Sequence, residues 1–228
     1  MGGRGRGAGA VGGRAAGGRI AAGGRCAPPG LDKARPGPLI CPAMALPYPY
    51  PFDREKALEC VLYLAYRIAE PGLHNISKLL YFADKRHLDM HGRLLYGDEY
   101  VAMEYGPVPS QIYDVLKAVG GTESCRPNLA ALVENAKSSL SVTGYSIRPL
   151  RDGDAMEFSD SDQECLDWAL EKYGHCSFDE LTELSHAEEA WKQTAKNAPI
   201  TVEAMTLGAR NREALLADLR DPFPGTAE

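Results

Sequence analysis

Three side chains that could bind a metal ion or transfer protons lie close together in the first half of the sequence. They are Asp84, His87 and His91. Their spacing places all three on one face of a helix, where two imidazoles one turn apart can bind a metal. A glutamate general base after the first histidine is absent, and a further ligand is unassigned. Because a helix C-terminus also favours histidine, the pattern favours a solvated or capping pair over a metal site.

A second group combines thiols with imidazoles and could support nucleophilic catalysis. It consists of Cys165, His175, Cys176 and His186, and a thiolate beside an imidazole is a common catalytic pair. The spacing matches no metal-site or nucleophile motif, so a small buried cysteine near a helix-end histidine is favoured. No phosphate-binding glycine loop follows a strand. The residues therefore predict neither an enzyme nor a cofactor.

The elements that must position these side chains are mainly helical. Apolar residues at helical spacing predict helices over 54–69, 76–91, 109–119, 128–136, 160–173, 178–186 and 202–219. Asp53, Asn75 and Ser177 are the predicted caps of the first, second and sixth of these helices, and Pro109 is placed in the first turn of the third. Segment 98–104 predicts a strand, and segments 145–150 and 155–158 predict a β-hairpin around Asp152–Gly153. The expected fold is a mainly helical α+β domain with a small antiparallel sheet or hairpin.

The first 43 of the 228 residues differ in composition from the rest. They contain 13 of the 24 glycines, seven of the 25 basic residues and one of the 31 acidic residues. Such a segment cannot bury enough apolar surface to offset its ordering entropy, so disorder is expected. A nucleic-acid-binding tail would need aromatic residues, and a transit peptide would be rich in serine; the segment has neither. We favour a mis-assigned start, with Met44 as initiator and residues 44–228 as the domain.

The remaining sequence is strongly acidic. Residues 44–228 hold 18 basic and 30 acidic residues, a net charge of −12. A domain of this charge repels nucleic-acid phosphates, so a basic protein surface is the favoured partner and nucleic acid is not expected. No apolar run approaches the ~18 residues of a membrane helix. The six cysteines form no CxxC pair or disulfide framework, which predicts reduced thiols and a cytoplasmic location.

Two sequence blocks resemble the Panacea domain of SocA-like antitoxins. The first, at residues 78–117, reads KLLYFADKRHLDMHGRLLYGDEYVAMEYGPVPSQIYDVLK, and the second, at 181–193, reads LTELSHAEEAWKQ. Two blocks in this order are more specific than either alone. The signature residues within them are Gly106, Pro107, Val108, Pro109, His186 and Trp191. We expect these residues to shape the fold, because glycine allows a tight turn or close approach and proline fixes φ. His186 and Trp191 are expected to lie in the core or in a polar network.

The resemblance implies an antitoxin of a bacterial or phage toxin–antitoxin system. Such a protein is not an enzyme; it neutralises a cognate toxin, encoded by a neighbouring gene, through direct protein–protein binding. An acidic domain is suited to a basic toxin surface. Delivery of the toxin to a protease is a second mechanism, and the sequence does not distinguish it from direct blocking of the toxin. The candidate contact residues are Tyr81, Asp84, Asp98, Glu99, Tyr105 and Tyr113.

Two alternatives belong to other functional classes. One is a metal-dependent hydrolase that uses Asp84, His87 and His91. The other is a DNA-binding autoregulator in which the second and third predicted helices form a helix-turn-helix. A helix-turn-helix needs a short turn of 3 to 4 residues, and too many residues separate these two predicted helices.

Overall fold

The computed structural model describes Leu46 and residues 48–221, so the predictions for residues 1–43 lie outside the described residues. Nine α-helices occur in this part of the chain: α1 Arg54–Arg67, α2 Leu73–His91, α3 Ser110–Val119, α4 Ala130–Ser139, α5 Asp160–Tyr173, α6 Phe178–Ala187, α7 Glu189–Lys192, α8 Val202–Met205 and α9 Arg212–Arg220. The strands are β1 Tyr100–Met103, β2 Gly106–Pro109, β3 Leu140–Thr143, β4 Ser146–Pro149 and β5 Pro199–Ile200. The predicted fold class, mainly helical with small antiparallel sheets, is confirmed.

Helix α2 lies at the centre of the described domain. Twelve of its 19 residues are buried, and it packs against α1, α5, α6 and β2. A helix that is apolar on most sides is typical of a domain core. The helix ends as predicted at Gly92, which adopts φ 73° and donates its N–H to the carbonyl of Leu88.

The start of α2 differs from the prediction that Asn75 caps it. The helix begins at Leu73, and Asn75 instead accepts the N–H of Gly72 at 2.7 Å. The N–H of Leu73 donates to the carbonyl of Tyr145 at 2.8 Å. A turn that is distant in sequence therefore satisfies one of the open helix donors, which local sequence could not reveal.

The main sheet has the strand order β2-β1-β5, with antiparallel pairing throughout. The burial of Tyr100 and Ala102 alternates with the greater exposure of Val101 and Met103, as predicted. The placement of Pro109 inside a helix was wrong, because segment 106–109 forms β2 and α3 begins at Ser110. Prolines are tolerated in β2 because it is an edge strand within this sheet.

The second hairpin also lies elsewhere than predicted. Strands β3 and β4 pair across the turn at Gly144–Tyr145, whereas residues Ala155–Glu157 form a short 3₁₀ helix. Gly153 is required for a different reason than a hairpin turn. A Cβ at this position would lie 2.7 Å from the carbonyl oxygen of Glu59, so the backbone packs directly on α1.

Local capping signals located several helices correctly. Asp53, Ser159 and Ser177 accept backbone N–H groups at the starts of α1, α5 and α6. The predicted single helix over 202–219 was wrong: α8 and α9 are separate, and Gly208 between them has φ 88°. Within the described residues, no helix has both the length and the apolar character needed to cross a membrane.

Candidate partner-binding site

The six predicted contact residues divide between the interior and the surface. Tyr81 and Asp84 are 0% exposed and Asp98 is 3% exposed, whereas Tyr105 is 47% exposed. Glu99 is also exposed, and Tyr113 is half-buried. Burial excludes direct contact between a partner and Tyr81, Asp84 or Asp98 in this conformation, so these three residues are removed from the contact surface.

Asp84 ties α2 to the segment that leads into β1. One carboxylate oxygen accepts the N–H of Leu95 at 2.5 Å, and the other accepts the hydroxyl of Tyr100 at 2.6 Å. Burial raises the pKa of Asp84 to about 7. Because both oxygens have internal donors, its role in the structure is to hold the core together.

Asp98 caps helix α3. Its carboxylate accepts the backbone N–H groups of Glu99, Gln111 and Ile112 at distances between 2.7 and 3.2 Å. Burial raises its pKa to about 6. A carboxylate at a helix N-terminus satisfies open donors and interacts favourably with the helix dipole.

The structure does not bring Asp84, His87 and His91 together as a ligand set. The Nδ1–H of His87 donates to the carbonyl of Arg93 at 2.7 Å, and Nε2 lies 3.1 Å from a carboxylate oxygen of Asp162. His91 is exposed, and its ring contacts that of His87 with centroids 4.6 Å apart. Among the described residues, no group of three His, Cys, Asp or Glu is arranged to hold a metal ion.

The surroundings of the two cysteines of the thiol and imidazole group disfavour nucleophilic chemistry. Cys165 is fully buried, and burial raises its pKa to about 11. Burial also raises the pKa of Cys176. Since the thiolate is the reactive form, both environments disfavour a cysteine nucleophile at neutral pH.

A groove of about 1010 Å³ opens beside the N-terminal end of α2. Its other walls are the β1–β2 turn, the β3–β4 turn, part of α3 and the loop that joins α5 to α6. The exposed rings of this groove are Tyr105, Tyr145 and Phe178, and we refer to it as the aromatic groove. The half-buried Tyr113 and the buried Val108 also line it.

The three exposed rings form the apolar part of the groove. Tyr145 is 81% exposed, and Phe178 is 48% exposed. The rings of Tyr105 and Phe178 contact each other with centroids 5.4 Å apart, and His74 packs on Phe178 at 3.9 Å. Large apolar side chains that are grouped on a surface commonly mark an interaction site.

Lys78 lies in the wall of the groove with almost no solvent exposure, at 1%. Its Nζ donates to the carbonyl of Pro107 at 2.9 Å. Burial lowers its pKa to about 7, and burial together with the nearby Lys78 charge lowers the pKa of His74 to about 4. At neutral pH His74 is therefore uncharged, whereas Lys78 is protonated only in part.

Negative charge surrounds the groove. Glu70, Glu104 and Glu180 line it and are exposed. Glu104 also pairs with Lys196 at 3.4 Å, an exposed contact of little strength. The local charge thus has the same sign as the net charge of residues 44–228.

The second signature block holds one wall of this groove. The indole N–H of Trp191 donates to the carbonyl of Met103 at 3.1 Å. The Nε2–H of His186 donates to the carbonyl of Glu104 at 3.0 Å. The rings of His186 and Trp191 stack with their centroids 3.8 Å apart. Both bonds fix the β1–β2 turn that presents Tyr105. The two signature blocks therefore meet at the aromatic groove.

The sequence pattern did not indicate several residues of the groove. Tyr145 lies at a turn, where a strand was predicted, and Phe178 was assigned to the apolar face of its helix, which gave no sign of its exposure. Lys78 did carry a usable signal, because a basic residue lies among the apolar positions of α2. Its neighbours Ile76 and Leu79 are buried.

Comparison with known families defines the class of this protein. The family model described as "Antitoxin SocA-like, Panacea domain" matches residues 76–192, which is half of the chain. The chain belongs to this family, and the resemblance seen in the sequence is confirmed. Membership supports an antitoxin-type role. Neither the curated proteins nor the solved structures include a match to this chain.

Proposed function

We propose that this protein is the antitoxin of a bacterial or phage toxin–antitoxin pair and neutralises its cognate toxin by direct binding. The observation that carries the proposal is the family match over residues 76–192. A toxin from a neighbouring gene is the proposed partner, and the cytoplasm, where both proteins would be made, is the proposed place of encounter. Binding rather than catalysis is proposed as the activity.

The surface proposed for toxin contact is the aromatic groove. Tyr105 and Tyr113, two of the contact residues predicted from sequence, line it together with Tyr145 and Phe178. Tyrosine is enriched among the residues that dominate binding energy at interfaces. The exposed Glu99, outside the groove lining, is retained in the proposal as a charge that attracts a basic partner.

The DNA-binding alternative has no support in the geometry. The β1–β2 hairpin lies between α2, which ends at His91, and α3, which begins at Ser110. A helix-turn-helix joins its two helices by a turn of only 3 to 4 residues. The hydrolase alternative is not favoured either, since the side chains of Asp84 and His87 bind different internal partners.

Growth experiments test the proposed function. Each gene that neighbours the coding sequence is expressed alone and together with this chain, and growth is recorded. One neighbour should arrest growth alone and lose this effect when the chain is present, and the two proteins should purify as a complex. The proposal would be overturned if the chain relieved the toxicity of none of its neighbours.

Toxin stability separates blocking from delivery to a protease. If the chain blocks its toxin, the half-life of the toxin in cells should stay the same or lengthen in the presence of the chain. If the chain delivers the toxin, the half-life should shorten, and removal of one cellular protease should restore it.

A further inference from the structure

We infer that the aromatic groove binds a basic segment of the toxin that carries large apolar side chains. The inference rests on the proposed antitoxin function and deepens it, because it assigns the contact surface and the chemistry of the partner. Apolar anchoring and charge each supply a separate step.

The exposed rings determine the apolar character of the occupant. Tyr105 and Phe178 expose about half of their surface although they pack against each other, and Tyr145 is almost fully exposed. Aromatic rings arranged around a concave surface bind well to other aromatic or aliphatic side chains, because both sides lose apolar surface to water. The groove of about 1010 Å³ has room for several side chains.

The charge around the groove determines the sign of the occupant. Glu70, Glu104 and Glu180 contribute carboxylates, and the depressed pKa of His74 keeps that ring neutral. A segment with Lys or Arg beside its apolar side chains would meet these carboxylates favourably. A second copy of this chain is disfavoured as the occupant, because two domains of net charge −12 repel each other.

Two matched peptides provide the direct test on the full-length chain. Each is a fluorescein-labelled decapeptide with central phenylalanine and leucine residues, flanked in one peptide by lysines and in the other by glutamates. Fluorescence anisotropy should show at least ~10-fold tighter binding of the lysine peptide at low salt, with a smaller difference at high salt. Equal affinities, tighter binding of the glutamate peptide or no binding of the lysine peptide at 1 mM would overturn the inference.

Surface variants locate the binding of the lysine peptide. Tyr105→Ser and Phe178→Ser should each weaken it at least ~5-fold, because each removes an apolar anchor. Tyr66→Ser and Met156→Ser are matched controls, since both side chains are exposed and neither lines the groove. Unchanged binding by both groove variants would place the peptide elsewhere and refute the assignment.

The growth assay distinguishes failure of the inference from failure of the proposed function. If Tyr105→Ser and Phe178→Ser proteins still relieve toxicity and purify with the toxin, the antitoxin function stands and the groove assignment fails. If the wild-type chain relieves no toxicity, the proposed function itself fails. A wild-type chain that forms dimers lost in the groove variants would also overturn the inference, because a second copy would then be the occupant.

Discussion

Replacement of Gly106 by alanine should destabilise the domain more than the same change at another left-handed glycine. Gly106 has φ 100°, and an added Cβ would lie 2.2 Å from Oγ of Ser185 and 3.0 Å from Cε of Lys78. Gly144 provides the matched control. It has φ 61°, and an added Cβ there would meet nothing within 4 Å.

The two sites separate backbone strain from steric overlap. A non-glycine residue in a sparsely populated backbone conformation costs about 1–3 kcal/mol. Insertion of a methyl group into a well-packed site adds about 1–3 kcal/mol. Gly106→Ala should therefore lower the free energy of unfolding by about 2–6 kcal/mol. Gly144→Ala should incur only the first cost, at about 1–2 kcal/mol for the left-handed region.

Equilibrium unfolding in urea measures both variants under the same conditions. A Ser185→Ala change in the Gly106→Ala background should recover part of the loss, because it removes the closest atom. Equal losses at Gly106 and Gly144, or no recovery in the double variant, would refute the steric argument. Tyr105 lies in the β1–β2 turn immediately before Gly106, so Gly106→Ala should also weaken binding of the lysine peptide.

Three further predictions concern single contacts. The folded-state pKa of Lys78 is lowered from 10.5 to about 7. Between these pH values the unfolded state binds more protons, so this group makes the free energy of unfolding increase with pH. Urea unfolding at pH 7 and pH 9 should show a smaller increase for Lys78→Met than for the wild type, and an equal increase would contradict the buried amine. Asp98→Ala should lose about 0.5–2 kcal/mol of stability through the lost cap, whereas Glu99→Ala, its exposed neighbour, should change it by less than about 0.5 kcal/mol in the same assay. Trp191→Phe keeps an aromatic ring but loses the hydrogen bond to the carbonyl of Met103, so it should lower the free energy of unfolding by about 0.5–1.5 kcal/mol. It should also speed amide hydrogen exchange in the β1–β2 turn, and unchanged exchange there would contradict the role of Trp191 in positioning this turn.

Helix starts were predicted correctly where a residue next to the helix caps it. Asp53 and Ser177 cap helices within three residues of themselves, and both were predicted correctly. The prediction failed where a distant segment decides the structure. Helix α2 begins early because Tyr145, which is distant in sequence, accepts the N–H of Leu73. Strand β2 was missed for a local reason, because two of its four residues are prolines, which are uncommon in strands.

The contact residues were harder to predict than the fold, for a related reason. Tyr81 and Asp84 have side chains typical of an interface, but α2 is surrounded by other elements, so a polar face of this helix need not face solvent. Exposure at Tyr145 and Phe178 depends on how separate loops meet around the groove. Residue type and helical spacing contain little information about that arrangement.

Complex formation by purified proteins tests the central claim most directly. The growth-inhibiting product of the neighbouring gene is mixed with the full-length chain, and light scattering after size-exclusion chromatography reports the mass of the complex. The account predicts a complex of defined stoichiometry that Tyr66→Ser retains and that combined Tyr105→Ser and Phe178→Ser changes abolish. Growth relief without any complex would contradict neutralisation by direct binding, and a complex unaffected by the combined change would contradict the groove.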